Sequence, residues 1–232
     1  MSTEGRAPYA APGGPRRRRE GHDGLYVVGL TGGLGAGKSS VAQALVQGGA
    51  RLVDADRLGH QVLEDPRVRS EIAESFGRDV LGPDGRVKKD ELGRRAFADP
   101  ESLQRLNAIS HPRLLTLLRS ALLGFAAAGV HGLVVLEAAL LVEWDLGAWC
   151  DEVVVVTAPR AERARRAAAA RGLSPEEVEA RLDSQLPEEV RVRYADRVLV
   201  NDGSREALAE RVQGLADSLR AAWLARERER HG

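Results

Sequence analysis

From Tyr26 onward, apolar residues fall into short unbroken runs separated by longer stretches of helical spacing. "YVVGL" is the first run, and "RLVDAD" (51–56) is a second that ends in two carboxylates. A third lies within "GLVVLEAALLVE" (132–143), a fourth in "DEVVVVTAP" (151–159) and a fifth in "DRVLVNDG" (196–203). Val and Leu without alternation suit strands covered on both faces, and the helical patterns between them supply crossovers, so an α/β fold with a five-stranded, mostly parallel sheet is predicted. Behind the first run, a glycine-rich turn leads into "KSSVAQALVQGG", a helix closed by Gly48 and Gly49.

The remaining segments attach to this core, predicted as 25–56, 131–158 and 186–232. Residues 57–130 are helical in pattern with no convincing strand, too long for one crossover, and are expected to include a helical subdomain; within them Asp99 and Pro100 mark a helix start. Segment 159–185 reads as a helical hairpin: one helix ends at Gly172, and the next begins with Ser174 as N-cap, Pro175 at its first position and Glu177 closing a capping box. "SREALAERVQGLADSLRAAWLARERER" is a long amphipathic helix expected to fray into charge. Residues 1–24, rich in Pro, Gly and Arg, are expected to form a disordered tail without assigned function.

Composition narrows the function classes. The 232 residues carry 34 Lys+Arg against 34 Asp+Glu, which argues against a chain-wide electrostatic footprint for nucleic acid or an anionic membrane. One cysteine, Cys150, permits no intrachain disulfide, and no long uncharged apolar run suggests a leader or a span, so a cytoplasmic location is expected. Only Lys38, Lys88 and Lys89 are lysines, so arginine supplies nearly all positive charge and Lys38 is an exception.

Lys38 belongs to the strongest motif, Gly32-x-x-x-x-Gly37-Lys38-Ser39, which sits between a strand and a helix as a phosphate loop must. Glycines let backbone N–H groups turn toward anionic oxygens, and the helix start adds its positive dipole end. Gly32, Gly33, Gly35, Ala36, Gly37, Lys38, Ser39 and Ser40 are therefore candidate ATP ligands, with Lys38 on the β- and γ-phosphates and the Ser39 hydroxyl on Mg²⁺. The chain has no full G-x-G-x-x-G fingerprint, which counts against a nicotinamide cofactor, and no Asn-Lys-x-Asp guanine signature, which counts against a GTPase switch.

A kinase needs an acceptor side. Asp54 and Asp56 share a side of the second strand if it persists that far; either carboxylate there serves as base or orients Mg²⁺, and the alternative is that Asp56 caps the next helix. Glu137, at the end of "LVVLE", is placed for a water-mediated Mg²⁺ contact or is an ordinary strand-end charge. Arg163 and Arg166 lie one turn apart and face a crevice if the hairpin closes as a lid, where they would offset phosphoryl charge and exclude water. His111 before Pro112 reads as structural.

In order along the chain, "VGLTGGLGAGKSSVAQAL", "GGARLVDADRLGHQVL", "FGRDVLGPDGRVKKDELGRRAF", "LNAISHP", "ALLVE" and "ADRVLVNDG" resemble the dephospho-CoA kinase family from about Tyr26 to the last helix. The resemblance implies a P-loop kinase core with a CoA-binding helical subdomain and a lid, and transfer of phosphate from ATP to the ribose 3′-hydroxyl of dephospho-CoA. It makes Gly35 to Ser40 the phosphate cradle, Asp56 the base and Arg166 with Arg163 the lid arginines. Leu140 falls at the acceptor, with Asp54 and Glu137 nearby candidates, and Asn201 to Gly203 beside the adenine. Two positions depart from the family's Asp-x-Pro-Leu-Leu segment: Glu137 replaces the Asp and Ala139 the Pro, and the longer acid shifts any contact by about 1.5 Å. The resemblance implies small-molecule substrates and a monomer or small homo-oligomer. The alternatives are a kinase for another hydroxyl acceptor and an ATP-binding regulatory protein without one.

Overall fold

A computed structural model describes residues 24–96 and 98–231. The expected tail falls outside these residues except for Gly24. Five strands form one parallel sheet in the order β2-β3-β1-β4-β5: β1 is Leu25–Gly32, β2 Arg51–Asp54, β3 Gly132–Glu137, β4 Glu152–Thr157 and β5 Arg197–Val200. β1 lies between β3 and β4, pairing Val27 with Val134 and Leu30 with Val154. All eight residues of β1 and all six of β3 are buried, as the unbroken apolar runs require of strands with helices on both faces. The chain leaves β1 toward β2 on one side and later returns to β4 on the other, so the carboxyl end of β1 is a switch point where such sheets bind ligands.

The helices are α1 Lys38–Gln47, α2 Ala55–Val62, α3 Pro66–Phe76, α4 Lys89–Ala96, α5 Pro100–Ala127, α6 Arg160–Arg171, α7 Pro175–Asp183, α8 Glu188–Arg193 and α9 Arg205–His231. Among the described residues two compact units result: 24–53 with 125–231, and 54–124. In the first, Val41, Ala42 and Leu45 of α1 and Val212, Ala216 and Leu219 of α9 pack with Val28, Leu30 and Val135 of the sheet. The second consists of α2, α3, α4 and most of α5, with Val68, Ile72, Phe76, Leu92, Leu114, Leu118 and Leu122 buried. Its Arg95 bonds the Phe76 carbonyl, Asp79 and Glu91, and the guanidinium groups of Arg94 and then Arg95 hold the Glu91 carboxyl down to about 2.

Two local expectations change. The second strand stops at Asp54, and Asp56 already lies in the first turn of α2, so the two carboxylates do not share a strand face. It is Asp54 that caps this helix, its side chain accepting from the Arg57 N–H at 2.8 Å, whereas Asp56 is inside it. At the other end α9 holds its helix to His231 rather than fraying. The cause is Arg226, which bonds the Leu25 carbonyl, pairs with Asp151 at 2.5 Å and stacks 4.7 Å from the Tyr26 ring centre.

Candidate active site

The loop Gly33–Gly37 joins the carboxyl end of β1 to α1 and is shaped by its glycines. Gly35 has φ +75° and Gly37 φ +94°, both in the left-handed region, and a Cβ at either would meet a neighbour: the Arg163 carbonyl at Gly35, the Asn201 amide at Gly37. Gly37 caps α1 without a side-chain bond, which leaves the first-turn N–H groups of Lys38, Ser39 and Ser40 for an anion. Ser39 and Ser40 are exposed.

Glu137 comes to this loop from the last position of β3. Its Oε1 accepts from the Ser39 hydroxyl at 2.8 Å and lies 3.8 Å from the Lys38 ammonium, whose side chain is 15% exposed. The residue is buried, and the added methylene of a glutamate lets the carboxylate touch Ser39 directly. These are hard oxygen donors of the kind Mg²⁺ takes, with the remaining positions open to phosphate oxygens and water, so the residues fit that ion. Among the described residues no group of three or more His, Cys, Asp or Glu could hold a metal ion alone.

The predicted hairpin forms as α6 and α7. Gly172 closes α6 at φ +63°, and Ser174 and Glu177 make the reciprocal capping box. Arg163 and Arg166 both point from α6 toward the phosphate-loop side. Arg163 is buried; its Nε donates to the Leu34 carbonyl at 3.1 Å and its Nη1 to Glu188 at 3.0 Å. Arg166 donates to the Asn201 carbonyl at 3.1 Å and lies 3.6 Å from Glu162. Asn201, also buried, donates its side-chain amide to the Ala36 carbonyl at 2.8 Å, so the segment after β5 braces the loop. Gly203 is exposed in the turn before α9, and Leu140 sits half-buried after β3, its carbonyl accepting from Trp144.

Three further groups escaped sequence reasoning. Gln185 Oε1 accepts from the Leu34 N–H at 2.9 Å. Glu188 holds Arg163 from α8. Arg191, also on α8, is buried 3.6 Å from Glu143 in the segment after β3. Their partners Leu34, Arg163 and Glu143 all lie in segments singled out from the sequence, but these three residues lie 25 to 151 positions away from them with no local spacing to signal the contact.

Asp54 and Asp56 belong to the helical unit, Asp54 as the cap and Asp56 half-buried in the first turn of α2. The phosphate loop, Glu137, the hairpin and Asn201 belong to the sheet unit, where the bonds above bring them together.

Comparison with known proteins gives one answer. The family model for dephospho-CoA kinase matches residues 26–207. The chain is 43% identical over 197 residues to a dephospho-CoA kinase of Anaeromyxobacter dehalogenans, covering 84% of this chain and 93% of that one. With the dephospho-CoA kinase of Dehalococcoides mccartyi it shares 38% over 192 residues, covering 83% and 96%. A crystal structure of a Thermus thermophilus protein superposes with a TM-score of 0.71 at 36% identity, covering 84% of this chain and 98% of that one. With a phosphate loop in its strand-to-helix setting, a carboxylate on Ser39 and a hairpin arginine on the loop's Leu34 carbonyl, the chain belongs to the dephospho-CoA kinase family.

Proposed function

We propose that the loop, the hairpin and the helical unit divide between them the transfer of phosphate from ATP to the ribose 3′-hydroxyl of dephospho-CoA, the reaction that makes this family member a coenzyme A-forming kinase. The observation that carries the assignment is the contact of Glu137 with the first two residues of α1, which brings a carboxylate, the Lys38 ammonium and the Ser39 hydroxyl together at the end of the loop. Lys38 and the N–H groups of Gly35 to Ser40 bind the triphosphate, with Gly32 and Gly33 shaping the turn; Asn201 and Gly203 lie beside the adenine. Arg163 and Arg166 offset charge on the phosphoryl group and keep water from it. Asp56 accepts the proton of the ribose hydroxyl, and Leu140 contributes to the acceptor site.

Ser39 would hold Mg²⁺ directly and Glu137 through water; the ion would neutralise phosphate charge, which these residues cannot do alone. Ser39 would offer an oxygen lone pair to the ion while its hydroxyl proton stays donated to Glu137. The enzyme acts in the cytoplasm as a monomer or small oligomer; among the described residues no helix is long and apolar enough to cross a membrane.

The test is ADP release and the mass of the product with and without dephospho-CoA, for wild type and Asp56→Asn. ADP that appears only with acceptor, alongside coenzyme A, is the expected result. In Asp56→Asn, turnover falls by about 100-fold while ATP binding stays within threefold. An equal loss of both would remove Asp56 from the role of base.

A further inference from the structure

Leu34, between the two tip glycines of the phosphate loop, is held at three points by the hairpin. Its side chain packs against Ala167, Val178 and Leu182, the apolar core that α6 and α7 share. Its N–H donates to Gln185 Oε1 at 2.9 Å, and its carbonyl accepts from Arg163 Nε at 3.1 Å. Both polar groups of this residue are thus spent on the hairpin and its outgoing segment rather than on a phosphate. Close packing follows: a Cβ on Gly33 would run into Arg163 Nη2 and come within 3.2 Å of Gln185 Oε1, and one on Gly35 would meet the Arg163 backbone.

From this arrangement we infer that Gln185 is a positioning residue for phosphoryl transfer, acting through Arg163. The inference rests on the reading of Arg163 as a lid arginine. Arg163 has three nitrogens to place. Nε is fixed by Leu34, Nη1 by Glu188 and Nη2 lies over Gly33, toward the loop. The guanidinium is therefore tied to the carbonyl of the Leu34–Gly35 peptide, and Gln185 is the side chain that fixes the preceding Gly33–Leu34 peptide by its N–H. Without this acceptor the Gly33–Leu34 peptide loses its anchor, the next peptide shifts with it about the Leu34 Cα, and Arg163 loses the reference that aims Nη2. Misplacing a charge-stabilising group by an ångström slows the transition state far more than it weakens ground-state binding. The loop's other N–H donors, beyond Leu34, still hold the triphosphate.

The experiment is a double-substitution cycle on the full chain, measuring kcat for coenzyme A formation and ATP affinity by calorimetry. Gln185→Met keeps the length of the side chain and removes the acceptor, and Gln185→Leu is a second version. Thermal midpoints of all variants establish that each is folded. In the wild-type background Gln185→Met is expected to lower kcat about tenfold with ATP affinity within threefold; in the Arg163→Ala background it should change kcat less than twofold, because the group it positions is gone. A role in folding alone would lower both backgrounds equally, and that result would overturn the inference. A kcat lowered by Arg163→Ala but untouched by Gln185→Met or Gln185→Leu would overturn it while leaving the lid reading intact. A kcat unmoved by Arg163→Ala would overturn the lid reading, and the inference with it.

Discussion

Glu143 and Arg191 form a buried pair whose surroundings disfavour both charges. Burial pushes the Glu143 carboxyl up and the Arg191 guanidinium down, each against the smaller attraction of its partner, and Glu143 Oε2 and Arg191 Nε are buried without a hydrogen bond. Because the native carboxyl is raised, the folded state keeps a proton that the unfolded chain releases near pH 4.3. The contribution of Glu143 to stability is then whole below the unfolded value and is lost as pH rises through the native one. Arg191→Met alone strands the carboxylate and is expected to cost about 3 kcal/mol. Glu143→Leu with Arg191→Met should be no less stable than wild type. Urea midpoints across pH check both: the wild-type midpoint falls relative to the double variant as pH rises, and parallel curves would refute the raised carboxyl. The same scale shows where reading the chain went astray, at Asp54 and Asp56. Two carboxylates two residues apart look alike on paper, and only the end of β2 assigns the cap to the first of them.

Elements with local signals were legible. Gly172, Ser174, Pro175 and Glu177 state a helix end and a helix start within six residues, and the hairpin forms on them. The unbroken Val and Leu runs gave all five strands, and the glycines between β1 and α1 gave the loop. What holds one element to another was not legible. Gln185 reaches Leu34 across 151 positions of sequence, and neither residue type is unusual where it stands. Arg163 was expected to face the crevice, but its bonds to the Leu34 carbonyl and to Glu188 were hidden for the same reason. The capping box supports a prediction for the hairpin as an element. Ser174→Ala should cost it about 1 kcal/mol, and limited proteolysis should then cut within 172–175 faster without ATP than with it. Equal cutting in both conditions would mean that nucleotide does not order the hairpin.

At the scale of the whole molecule, the nucleotide chemistry and the carboxylate proposed as base fall in different compact units: the loop, Glu137 and the arginines in one, and α2 with Asp56 in the other. The division was visible in outline from the strandless stretch between the second and third runs, although its edges, 54 and 124, lie inside the expected 57–130 at one end and outside it at the other. Arginine supplies the charge throughout, leaving three lysines for the entire chain. Two of them, Lys88 and Lys89, are exposed, while Lys38 lies beside Glu137. An amine-specific acylating reagent therefore meets a protein with two quick side-chain targets and one slow one, and the slow one reports directly on the nucleotide. Peptide mass mapping should find Lys38 modified last, and not at all while ATP occupies the loop, so that a single reagent counts the occupied sites in a preparation without any assay of turnover.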